Sequence, residues 1–327
     1  MEELTAQFWD VPALLRLHDV VAAADPDGPP AMRLVYAGES PRPPTRLGFL
    51  AGSFNPLHSA HEALARAAMH TAHLDRVLLV LSKRTVDKER VSGMSLEDRL
   101  LLLQLFASTH PGLGVALVNR GLYVEQAALL RSAWPNLQGL WAVVGFDKIV
   151  QILDPRYYAD RDAALDELFA LATVLVAPRA GASPRELHRL LDRPENRRFR
   201  DRVRPLPIPP EHGAVSSSRL RAEAEMGRLA GLAVPELVRA FVEATRVYAP
   251  PLRRPDGEEV DAYGLRVSLI AALARARPWA ERQADLRRLL GLALGASEAG
   301  RTLRAWLRNP PPGPTEADLR SFQGRAG

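Results

Sequence analysis

One stretch restricts the folding of this chain more than any other. The apolar run Leu47-Gly48-Phe49-Leu50-Ala51 leads into GSFNPLHSAH at 52–61, and the alanine-rich EALARAAM follows at 62–69. The first run is short and uniformly apolar, as a buried strand is. The last has helix-forming composition, and glycine and proline punctuate the middle. A strand, a tight turn and a helix start carrying His58 and His61 make an element suited to phosphate. Glycine lets an anion approach the main chain, and the spacing lets both imidazoles face it beside the free N–H groups of the helix end.

The same alternation runs onward. Largely apolar segments predict strands over 76–81, 114–118, 140–144 and 174–176, with a short last strand expected over 203–207. Between them the patterns predict helices over 61–73, 95–108 and 124–132, with another opening at 217. Ser95 is the natural N-cap of the second of these, with Asp98 three residues on. Strands alternating with helices specify an α/β fold, a doubly wound parallel sheet whose ligands sit at the carboxyl ends of its strands. Residues 1–45 read as an N-terminal extension with one short amphipathic helix (Leu14, Leu17, His18 and Val21 on one face) and a strand at 32–37. Residues 46–250 form the main domain. A proline-rich linker at 250–255 leads to a small helical C-terminal subdomain within 251–327, with helices over 263–275, 282–294 and 300–307. Packing, or self-association into a homo-oligomer, is its default role.

Charge excludes less than it first suggests. The net charge is +5, yet only three of the 43 basic residues are lysine, and the arginines are scattered rather than interleaved with aromatics. No nucleic-acid platform is expected from that pattern. There is no cysteine, no basic-then-apolar leader and no apolar run of bilayer length, so a cytoplasmic protein with no membrane partner is expected. A zinc role for His58 and His61 is disfavoured, because no third ligand stands at a telling spacing. His70 and His73 repeat the spacing near the helix C-terminus, where histidine has a structural reason to be.

Two further features carry chemistry. VSSSRLR at 215–221 opens a helix with Ser216, Ser217 and Ser218 and sets Arg221 about one turn in. Alone it reads as ordinary capping; beside the first motif it offers a second helix end and a fixed cation. Lys83 and Lys88 follow the second strand of the main domain and Lys148 the fourth, all at the sheet's carboxyl edge. In a chain that otherwise uses arginine, Lys83 or Lys88 is a candidate contact for a substrate phosphate.

GSFNPLHSAH resembles the HxGH-type signature of the nucleotidyltransferase superfamily, and VSSSRLR its ISSTxxR signature. Within that superfamily the chain is similar to the nicotinamide/nicotinate mononucleotide adenylyltransferases. SLEDRLLLLQLF, LYVEQAALL and WAVVGFDKIVQILDPRYY supply further matches, and the DPRYY ending is closer to the fungal-type branch. The resemblance covers about residues 46–250 and implies a Rossmann-like nucleotidyltransferase fold. It implies an enzyme joining ATP, with Mg²⁺ on its phosphates, to nicotinamide or nicotinate mononucleotide, giving NAD or deamido-NAD and pyrophosphate. It places His58 and His61 at the α-phosphate, and Ser216, Ser217, Ser218 and Arg221 at the leaving pyrophosphate. Gly52, Ser53 and Phe54 would contact substrates through their backbone, and Asp147, beside Gly145, would accept from the ATP ribose. Two alternatives stay open. One is another transferase of the same fold, using phosphopantetheine with ATP or a phosphorylated alcohol with CTP. The other is a non-catalytic nucleotide-sensing module.

Overall fold

The computed structural model describes residues 7–84, 93–178, 184–213, 215–253, 257 and 259–274. Lys88 and the helices expected over 282–294 and 300–307 lie outside them. The strands are β1 Met32–Tyr36, β2 Arg46–Gly52, β3 Arg76–Ser82, β4 Leu113–Val118, β5 Gly139–Gly145, β6 Thr173–Ala177 and β7 Val203–Pro205. They form one seven-stranded sheet in the order β1-β4-β3-β2-β5-β6-β7. From β4 to β7 every pairing is parallel; β1 adds an antiparallel edge to β4. The extension expected before the main domain thus supplies an edge strand to the main sheet. The chain winds outward from β2 to β3 and β4, then returns to the other side of β2 with β5, β6 and β7. The gap between the carboxyl ends of β2 and β5 is the switch point of a doubly wound sheet.

Helices cover both faces. α1 Val11–Ala23, α2 Ser59–Thr71, α3 Leu96–Ser108, α8 Ser217–Glu225, α9 Glu236–Thr245 and α10 Ala262–Ala274 share one apolar core. α4 Tyr123–Ala133, α5 Phe146–Ile152, α6 Arg161–Leu171 and α7 Pro184–Leu191 share the other. Strand residues alternate between the two, with Leu79 and Leu81 facing the first and Leu78 and Val80 the second. All seven residues of β3 are buried, which is why its sequence lacks polar alternation.

α3 begins as its sequence predicts: the Ser95 hydroxyl accepts from the Asp98 N–H at 3.2 Å. It is buried nearly all round because α1 packs on the side away from the sheet. Its Asp98 carboxylate is fully buried and takes the Arg266 guanidinium of α10 at 2.6 Å and the Tyr263 hydroxyl at 2.7 Å. Arg266 also donates to the Phe8 carbonyl at 2.7 Å and lies over the Trp9 ring. One buried cation therefore joins the N-terminal segment, α3 and α10. The stretch expected as a proline linker contains a strand instead: β8 Leu252–Arg253 pairs antiparallel with β9 Glu259–Val260.

Candidate active site

The turn after β2 is built by close approach. Gly52 does not adopt a left-handed backbone. A Cβ there would come within 3.1–3.3 Å of the Phe54 ring, closer than an ordinary van der Waals contact, so the ring would have to yield to any side chain. Phe54 itself holds a φ of 43°, a conformation that persists only when the surroundings over-determine it. Its buried ring stands 4.8 Å from that of His61.

His58 caps α2, and His61 occupies its first turn. The His61 Nδ1 accepts from the His58 backbone N–H at 3.2 Å, and the two rings stack with centroids 3.7 Å apart. An accepting Nδ1 leaves the proton of a neutral ring on Nε2. Burial pushes His58 down to about 4. Burial, then the neighbouring His58, holds His61 well below the ordinary histidine range. Both rings are neutral at pH 7, so His61 offers a neutral N–H donor rather than a cation. The helix end is less free than its sequence suggests. The Ser59 N–H goes to the Ala233 carbonyl at 3.0 Å and the His61 N–H to the His58 carbonyl at 2.9 Å.

The second motif docks on the first. Arg221 Nη1 donates to the Asn55 carbonyl at 2.8 Å, its Nη2 to the Ser218 hydroxyl at 3.4 Å, and the Ser217 hydroxyl to the Pro56 carbonyl at 3.4 Å. Ser216 caps α8, accepting from the Arg219 N–H. Asn55 is fully buried. Its side-chain oxygen accepts from the Tyr248 hydroxyl at 2.7 Å and the Met94 N–H at 3.2 Å. Arg99 completes the frame, donating to the Met94 carbonyl at 2.7 Å and the Ser53 carbonyl at 3.4 Å.

Above this frame a cavity of about 500 Å³ opens at the switch point. Of the residues singled out in the sequence, Gly52, Ser53, His61, Gly145 and Asp147 line it. His58 and Phe54 are buried beside it. Ser217, Ser218 and Arg221 face the motif-one loop through the hydrogen bonds above and do not line this cavity. Ser216 borders a separate hollow of about 660 Å³ beside Arg219 and Glu223.

Comparison with known proteins places the chain in a family. Residues 49–223 match the family model described as cytidylyltransferase-like. A probable nicotinate-nucleotide adenylyltransferase of Bordetella pertussis is 30% identical over 62% of this chain and 98% of the relative. One of Gloeobacter violaceus is 29% identical over 63% of this chain and 97% of the relative. The chain belongs to the nicotinate-nucleotide adenylyltransferase family. A solved structure of Plasmodium falciparum nicotinic acid mononucleotide adenylyltransferase complexed with NaAD covers 62% of this chain and 96% of its own, at a TM-score of 0.45 and 12% identity.

The lysine expectation meets a competing partner. Lys83 Nζ donates to the Val21 carbonyl at 2.8 Å, where its charge suits the C-terminal end of α1. It is not among the residues lining the cavity. Lys148, given no role by the sequence, does line it, as do Tyr123 and Gln126 of α4. Among the described residues the Tyr123 hydroxyl and the Gln126 carbonyl oxygen are buried without a hydrogen-bond partner. Asn55, Arg99 and Tyr248 were also missed as site residues. Asn55 stood in plain view within the first motif, but its partner Tyr248 is 193 residues away, and no local pattern reports such a contact. Among the described residues no group of three or more His, Asp or Glu side chains could hold a metal ion, and no helix is long and apolar enough to cross a membrane.

Proposed function

We propose that the protein joins ATP to nicotinate or nicotinamide mononucleotide, forming deamido-NAD or NAD and releasing pyrophosphate. The observation that carries this reading is His61: a neutral imidazole, its Nδ1 committed to the His58 N–H, at the wall of a cavity on the sheet's switch point.

The mononucleotide's 5′-phosphate oxygen attacks the α-phosphorus of ATP in line. The P–O bond to the β-phosphate breaks, and pyrophosphate leaves with the electron pair. The nucleophile is already an anion, so catalysis is positioning and charge stabilisation. His61 donates its Nε2–H to an α-phosphate oxygen as negative charge gathers there. His58 sets the tautomer through its N–H and orients the ring by stacking. Arg221, Ser217 and Ser218 hold the loop 53–57 at fixed distance from α8, and the exposed face of that junction receives the leaving pyrophosphate. Asp147, exposed at the cavity rim, accepts from a ribose hydroxyl. Mg²⁺ arrives with ATP, coordinated mainly by phosphate and water.

The test is pyrophosphate release by the full-length protein with ATP and each pyridine mononucleotide, against ATP with phosphopantetheine and CTP with a phosphorylated alcohol. Turnover confined to the pyridine mononucleotides is the expected result. Turnover with either other pair alone would move the protein to a different transferase activity, and nucleotide binding without turnover would make it a sensor.

A further inference from the structure

The residues that open α3 are held from two sides. On one side the Met94 N–H donates to the Asn55 side-chain oxygen at 3.2 Å, and Arg99 reaches the Ser53 carbonyl at 3.4 Å. Gly93, at a φ of 106°, permits this approach: a Cβ on it would stand 2.8 Å from the Tyr248 ring and 3.2 Å from the Asn55 side-chain oxygen. On the other side the Ser95 N–H donates to the Tyr263 hydroxyl of α10 at 2.8 Å. That hydroxyl donates in turn to the Asp98 carboxylate at 2.7 Å, and burial keeps it protonated to do so. Met94 is fully buried, so neither N–H can turn away to water. Met94 and Ser95 are neighbours in the chain. A single residue step therefore separates the grip of α10 from the grip on the loop 53–57. α10 itself lies beyond the residues that match the family model.

We infer that Tyr263 is a positioning residue for the reaction: through Ser95 and Met94 it fixes Asn55, and with it the loop that sets His61 against the reacting phosphate. On this account α10 belongs to the frame of the active site and does more than pack. Removing the hydroxyl orphans the buried Ser95 N–H. The turn shifts to find another acceptor, and Met94 leaves Asn55. Arg221 and Tyr248 still hold Asn55, so the loop stays folded but displaced. A displaced His61 loses more of the transition state, where charge gathers on the α-phosphate, than of bound substrate. The kinetic part of this inference rests on the adenylyltransferase reading; the structural part does not.

The experiment compares the full-length wild type, Tyr263→Phe and Ile270→Val. Ile270 is a buried residue of α10; its truncation loosens the same helix and leaves the hydroxyl in place. Calorimetric titration with a non-hydrolysable ATP analogue counts the binding-competent molecules, and kcat is taken per competent site. Tyr263→Phe should lower kcat on the order of tenfold with both KM values unchanged. Ile270→Val should lower the melting temperature and keep kcat. Amide hydrogen exchange should quicken at residues 57–61, as well as at Met94 and Ser95, in Tyr263→Phe alone. An unchanged kcat in Tyr263→Phe, an equal fall in both variants, or faster exchange confined to Met94 and Ser95 would each overturn the inference and leave the adenylyltransferase reading intact. A wild type that releases no pyrophosphate with either mononucleotide would overturn that reading, and the exchange pattern alone would then decide this one.

Discussion

Arg221 and Asn55 are 166 residues apart in sequence and 2.8 Å apart in space, guanidinium to carbonyl. The contact ties the first turns of α8 to the loop that leads into His58 and His61 of α2, so the geometry of one motif is set by the other. Arg221→Lys removes the planar fork that reaches Asn55 and Ser218 together. It should lower kcat/KM for ATP by about tenfold or more while costing little stability. Arg221→Ala should in addition cost about 1–3 kcal/mol, because a buried carbonyl loses its donor. Steady-state kinetics and urea unfolding separate the two effects.

His61→Ala should lower kcat by about 10²–10³, the effect of removing one donor from a preorganised site, with the far-ultraviolet circular dichroism spectrum unchanged. Near-normal turnover would remove His61 from the reaction.

Two glycines at the cavity should behave differently. A Cβ at Gly145 meets nothing within 4 Å, whereas one at Gly52 meets the Phe54 ring. Gly145→Ala should leave the melting temperature unchanged and raise KM for a substrate, since the methyl group enters the cavity. Gly52→Ala should destabilise by roughly 1 kcal/mol or more as the ring is displaced. Calorimetry with and without ATP analogue checks both.

Arg266 and Asp98 are both fully buried. Removing one partner of such a pair strands the other charge, so Arg266→Met should cost about 3–5 kcal/mol. It should also speed proteolysis of the N-terminal segment, because the Phe8 carbonyl loses its donor. The nearby Tyr263 hydroxyl accepts from the Ser95 N–H at 2.8 Å, next to the Met94 that holds Asn55. Tyr263→Phe therefore tests whether α10 steadies the loop 53–57; a fall in kcat with KM unchanged is the expected result.

Acid should weaken the fold through the histidine pair. His58 is lowered to about 4 in the native state against about 6.5 unfolded. Below pH 6.5 the unfolded chain takes up a proton that native His58 does not. Stability therefore falls as pH drops from about 6.5 to 4, by up to roughly 3 kcal/mol from this residue. His61, lowered in the same direction, adds to the loss. Urea midpoints across that range should decline, and His58→Asn should flatten the decline.

Much was legible in the sequence because the forces behind it are local. The apolar runs from β2 to β6 cover both faces of a strand. Ser95 caps α3 three residues from its donor, and the turn at 52–61 carries both histidines within one helical turn. The edge strand β1 was visible as a strand but not as part of the main sheet, because pairing with β4 leaves no mark in either sequence. The sequence marks Lys83 or Lys88 as a candidate phosphate contact and assigns Lys148 no role. A helix C-terminus, a cavity wall and the distances to them exist only after folding.

What the sequence determined is the chemistry offered, a pair of imidazoles beside a glycine and a serine-led helix with one arginine, since these follow from residue identity and short spacing. What only the tertiary structure decided is how they meet. Burial makes the histidines neutral, Arg221 grips the loop, and Lys148 reaches the cavity. Each of these depends on desolvation and on contacts between segments far apart in the chain.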